Sequence, residues 1–159
     1  MANNYIGLHK RFGNDYKRKA VDAQTKMLIK YASDKLNHAY MTRGFRNRTF
    51  NLADSYVWAV YYHGSLQGSG YLWNSRVATT DSTFHNTKVN GRKLAMEFTD
   101  KYHSNSMNKW EVVFAATAPY ASYLEGGAVR RVFYVITHIY DTVTADFKGK
   151  ATVYTIISY

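Results

Sequence analysis

The chain of 159 residues has no cysteine, which excludes disulfides and thiolate metal sites and fits a reducing compartment. It has one proline, Pro119, so strong backbone breaks are rare. No apolar run approaches the ~18 residues of a membrane-spanning helix. Met1 is followed by polar residues, and no signal-peptide core is expected. Motifs of chemistry are missing too. There is no Gly-x-Ser-x-Gly, no Gly-x-x-x-x-Gly-Lys-Ser/Thr, and no Gly-x-Gly-x-x-Gly opening a helix. The six histidines (9, 38, 63, 85, 103 and 138) form no i, i+4 pair and no His-Glu-x-x-His set. Glu97/Asp100 and Asp141/Asp146 are candidate carboxylate pairs only in the trivial sense that they lie on predicted helix faces. The expectation is a protein that is not an enzyme, with no catalytic residues, no cofactor and no metal.

Aromatic side chains and positive charge are abundant. The chain has 15 Tyr, 8 Phe and 3 Trp, and amphipathic rings of this kind favour protein contacts. Net charge is +10, and residues 1–50 hold 11 Lys/Arg against 3 Asp/Glu. A basic N-terminal third suits phosphate or an acidic protein surface. Within it Arg43, Arg46 and Arg48 interleave with Phe45 and Phe50, a pattern that fits either nucleic acid or an acidic partner.

Along the chain, residues 1–14 read as a flexible N-terminal arm, and Asn14 as an N-cap. A helix follows from about 15 to 41, with apolar spacings of three and four through Val21, Ala23, Met27, Leu28, Ala32, Leu36 and Ala39. Ser55 to His63 reads as a central strand, apolar on both faces. Gly64 to Gly70 reads as a glycine-rich turn, with a short returning strand at 71–73. Residues 74–90 look like a long loop or arm. Asn90 caps a predicted helix over 91–103. Trp110 to Thr117 alternates as a strand, with Glu111 and Thr117 opposite Trp110, Val112, Phe114 and Ala116. Pro119 then opens a short Tyr-rich helix. Residues 129–148 fit a helical stripe, with a hairpin as the alternative, and 150–158 form a last strand. The order predicts a single α+β domain over 1–159. A small, mainly antiparallel sheet is packed by a long N-terminal helix and a C-terminal helix.

Two segments together resemble a known family. Arg48-Thr49-Phe50-Asn51-Leu52-Ala53-Asp54-Ser55-Tyr56 resembles the Arg-Thr-Gly-Asn-Leu-x-x-Ser signature of tailed-bacteriophage neck, or tail-completion, proteins. Pro119-Tyr120-Ala121-Ser122-Tyr123-Leu124-Glu125-Gly126-Gly127 is similar to that family's Tyr-Ala-x-Tyr-(Val/Leu)-Glu-x-Gly signature. Phe50 stands where the family has Gly, and the family's later Pro-Phe-x-x-Pro-Ala has no counterpart. The resemblance implies a head–tail connector: a structural, non-enzymatic ring of six or twelve copies in the virion, made in the host bacterial cytoplasm. Its implied partners are copies of itself, the portal, other neck or tail proteins, and DNA that passes through without sequence-specific binding. Arg43, Arg46, Arg48, Tyr120, Tyr123 and Glu125 are its candidate interface residues. The alternative class is a small basic nucleic-acid-binding domain.

Overall fold

The computed structural model describes residues 3–42, 51–72, 82–84, 87–122, 135, 136, 139 and 151–157. Helix α1 spans Asn3–Met41. Its Leu28, Ala32, Leu36 and Ala39 are buried in the main core. Spacings of four, four and three keep them on one face. The helix ends where the Thr42 hydroxyl donates to the carbonyl of Ala39 at 3.0 Å and the Thr42 N–H to that of His38 at 3.1 Å. The loose arm expected over 1–14 is corrected from Asn3 onward, where the chain is helical, and Asn14 lies inside the helix instead of capping it. Glycine in a helix interior costs only about 0.5–1 kcal/mol. Once the packed half has nucleated the helix, each added residue gains a backbone bond, so Gly13 does not stop it.

Helix α2, Asn51–Asp54, is one buried turn, and it leads into strand β1, Tyr56–Tyr62. Both faces of β1 are covered. Tyr56, Trp58 and Val60 join the α1-side core, while Val57, Ala59 and Tyr61 join clusters on the other face. His63 and Gly64, at φ 46 and 81, turn the chain back. Two consecutive positive φ values are what a tight two-residue hairpin requires. Strand β2, Ser65–Tyr71, then pairs antiparallel with β1. Of the glycine-rich turn expected over 64–70, Gly64 turns the chain and 65–70 is strand. Its glycines answer to crowding: a Cβ on Gly68 would lie 2.7 Å from Ile29 of α1, and one on Gly70 2.7 Å from the Trp58 ring.

The segment expected as a loop or arm at 74–90 contains strands β3, Ser82–Phe84, and β4, Thr87–Val89, paired as a hairpin. Helix α3, Gly91–Lys101, begins as expected: the Asn90 side chain accepts the Lys93 N–H at 3.0 Å. Strand β5, Trp110–Ala116, is buried along its whole length and pairs antiparallel with β1. Strand β6, Thr152–Ile157, runs parallel to β5. The sheet order is β2-β1-β5-β6. This is an α+β fold with a small, mostly antiparallel mixed sheet. Helix α1 packs on one face, and Ala95 and Phe98 of α3, with its C-cap Tyr102, pack on the other.

Of the 129–148 stretch, Val135, Ile136 and Ile139 are described; all three are buried in the α1-side core. The Ile139 N–H donates to the Val135 carbonyl at 3.1 Å, the i to i−4 bond of a helical turn. The rest of that stretch, with its helix and hairpin alternatives, lies outside the described residues.

Candidate functional site

The short buried helix α2 is a junction between three elements. Asn51 is fully buried, and its Oδ1 accepts the backbone N–H of Gly91, the first residue of α3, at 3.1 Å. Its carbonyl accepts the Ser55 N–H at 3.1 Å, closing the turn into β1. The approach is so close that a Cβ on Gly91 would sit 1.8 Å from the Asn51 carbonyl oxygen. Beside it the buried Asp54 carboxylate takes an ion pair from Arg92 at 3.3 Å. The Arg92 guanidinium also lies over the Tyr71 ring, 4.1 Å from its centroid. Asn51 thus anchors α3 from across the fold, a longer-range task than the local turn its sequence position suggests.

The same junction reaches the end of β5, just before the second signature segment. The Ser55 hydroxyl donates to the Leu52 carbonyl at 2.8 Å. The Ser55 carbonyl accepts twice from Thr117, from its N–H at 3.1 Å and its hydroxyl at 3.0 Å. Two residues on, Pro119 occupies the second position of a turn closed by the Ala121 N–H on the Ala118 carbonyl at 2.8 Å. Tyr120 is half-buried and packs against the main core. Of the expected interface residues, Tyr120 alone is described. Arg43, Arg46, Arg48, Tyr123 and Glu125 lie outside the described residues.

A second polar cluster is absent from the sequence reading. Glu111 faces the α3 side of β5 and is only 1% exposed. Its Oε1 accepts the Tyr102 hydroxyl at 2.7 Å. Its Oε2 accepts the Asn108 side-chain amide at 3.1 Å and the Asn105 N–H at 3.2 Å. One carboxylate therefore ties the loop after α3 onto the sheet. Burial, then the bond to Glu111 and its charge, push the Tyr102 hydroxyl pKa well above the usual tyrosine value. Burial, then the charge of Glu111, also raises that of Tyr61. Both hydroxyls are consequently protonated at neutral pH; that of Tyr102 donates to Glu111, while that of Tyr61 is buried without a hydrogen-bond partner among the described residues. The Tyr102 and Tyr61 rings also pack together, tilted by 44° with centroids 5.4 Å apart. Alternation in the sequence marks Glu111 only as a polar strand residue. Its partners come from a loop without periodicity.

A cleft of about 500 Å³ opens between α3 and the ends of β5 and β6. Leu94, Phe98, Ala116 and Ile156 give it apolar walls, while Glu97, Lys101 and His103 add charged or titratable groups. Glu97 is engaged by Lys101 at 3.5 Å and by Lys93 at 4.0 Å. Among the described residues no group of three or more His, Asp or Glu is placed to hold a metal ion, and no helix is long and apolar enough to cross a membrane. Comparison with protein-family models, curated proteins and solved structures finds no match.

Proposed function

We propose that this chain is a structural subunit of a tailed-phage neck ring, joining the portal to the tail around the DNA exit channel. The observation that supports this reading most is the Ser55–Thr117 junction. The two signature segments carry the family likeness, and Ser55 of the first is hydrogen-bonded across 62 residues of sequence to Thr117, two residues before the second begins. Each short segment alone is a weak motif. The Ser55–Thr117 contact brings the first segment to the strand end that leads into the second, an arrangement that a shared architecture would preserve. Ring closure then asks each copy for two different complementary surfaces. Arg43, Arg46, Arg48, Tyr120, Tyr123 and Glu125 are the residues we assign to these contacts. Glu125→Ala is expected to impair assembly more than monomer folding. Loss of the folded monomer instead would make Glu125 a core hydrogen-bonding residue.

The test is capture of a tailed-phage portal protein by this chain, with and without nuclease. A neck subunit keeps its portal after nuclease digestion. A second reading, a small basic nucleic-acid-binding domain, is favoured by the exposed Lys17, Arg18, Lys19 and Lys26 of α1. It predicts a monomer that binds duplex DNA with a steep loss of affinity as salt rises.

A further inference from the structure

Helix α1 carries a second apolar stripe besides the one packed on the sheet. Phe12, Tyr16, Ala20, Ala23 and Met27 are all exposed, Phe12 by 69% and Tyr16 by 77%. Their spacings of four, four, three and four set them in one line about 22 Å long, at a rise of about 1.5 Å per residue. At about 100° per residue, this line faces away from Leu28, Ala32, Leu36 and Ala39. Residues 12–20 are exposed without a break. A helical segment with no tertiary packing is marginal in water, so an exposed apolar line on one calls for a partner.

Charge selects that partner. Exposed Lys19 and Lys26 border one side of the line, and exposed Lys17 the other. Asp15 lies further round and pairs with Arg18 at 3.8 Å; Asp22 lies further round on the same side. The Lys30–Asp34 ion pair closes the line at its C-terminal end. We infer that this stripe is a docking face for an acidic amphipathic helix of another protein. The two alanines at its centre let a second helix axis approach closely, with Phe12, Tyr16 and Met27 filling the grooves. Cations on both flanks match acidic residues beside the partner's apolar seam. A second copy of α1 laid on this stripe would set lysines against lysines. A phosphate backbone would leave Phe12 and Met27 wet. One Phe and no Trp, Leu or Ile make the line too weakly apolar for a bilayer surface.

The inference stands without the ring, and its test needs no portal. The full chain is titrated into two labelled synthetic helical peptides with the same leucine seam, one flanked by glutamates and one by lysines. Parallel titrations use phosphatidylglycerol/phosphatidylcholine vesicles and duplex DNA. The glutamate peptide is expected to bind at least about tenfold more tightly than the lysine peptide. The pair Tyr16→Ser and Met27→Ser should weaken it by about tenfold or more, with circular dichroism and urea midpoint unchanged. The pair Lys19→Glu and Lys26→Glu should reverse the peptide preference. Equal or absent binding of the two peptides overturns the inference. So does binding to vesicles or DNA in preference to the peptide, or self-association that the Tyr16/Met27 pair abolishes. A portal complex that forms while the glutamate peptide fails to bind removes this inference and leaves the neck reading in place.

Discussion

Substituting Gly91 by alanine sets two physical expectations against each other. Gly91 opens α3, and by helix propensity alone alanine should stabilise by up to about 1 kcal/mol. The fold reverses the sign. The new Cβ would lie 1.8 Å from the Asn51 carbonyl oxygen and 3.0 Å from the Ser55 nitrogen, both backbone atoms. Neither can rotate away, so α2 and α3 must separate. Overpacking of this kind costs about 1–3 kcal/mol. Separation also stretches the bond from the Gly91 N–H to Asn51 Oδ1, and a buried donor left unpaired costs about 1–3 kcal/mol more. A net loss of about 3 kcal/mol is expected, read as a fall in urea midpoint at constant m-value. Asn51→Ala removes the acceptor without the clash and should cost about 1–3 kcal/mol. Gly13→Ala is the control. Nothing lies within 4 Å of its added Cβ, and it should be neutral or stabilising by about 0.5–1 kcal/mol. Gly91→Ala within about 0.5 kcal/mol of the parent would refute the tight α2–α3 junction.

Glu111→Ala leaves the Tyr102 hydroxyl, the Asn108 amide and the Asn105 N–H without their acceptor, and should cost about 2–4 kcal/mol. Faster amide exchange in residues 102–109 is the second readout, and unchanged exchange there would show that the loop does not depend on this carboxylate. Because folding raises the Tyr102 pKa above its ordinary 10.0, the native state holds this proton longer than the unfolded chain does. Its stabilising contribution is full below pH 10, and it is lost as pH rises above that value towards the folded pKa. Tyr102→Phe should therefore flatten the alkaline fall in stability; an identical alkaline profile would contradict the assignment. Thr117→Val keeps the side-chain shape but deletes one of two bonds to the Ser55 carbonyl, with an expected loss of about 0.5–1.5 kcal/mol in thermal or urea unfolding.

Elements whose cause is local were legible in the sequence. The β1 and β5 strands announce themselves by β-branched and aromatic residues, and α3 by Asn90 followed by Leu94, Phe98 and Tyr102 at one spacing. Elements whose cause lies elsewhere in the fold were not. The glycines of β2 spell a turn when read alone, yet they are small because Ile29 and Trp58 press on that strand. Helix α1 passes through Gly13 because of packing that begins only at Val21. In the same helix Ala23 and Met27, read alone, extend the core stripe, but they belong to the opposite face. The parallel pairing of β6 with β5 leaves no mark in strand composition. At the candidate site, Asn51, Ser55 and Thr117 were legible as segments. Their meeting was not, because hydrogen bonds over 40 and 62 residues follow from topology alone.

The central claim is that the chain works as a ring subunit on a portal. Native mass spectrometry of the full chain, mixed with a tailed-phage portal protein and treated with nuclease, tests it most directly. The account predicts a nuclease-resistant complex carrying six or twelve copies of the 18.3 kDa subunit. An 18.3 kDa monomer that ignores the portal and binds duplex DNA with a steep salt dependence would contradict it.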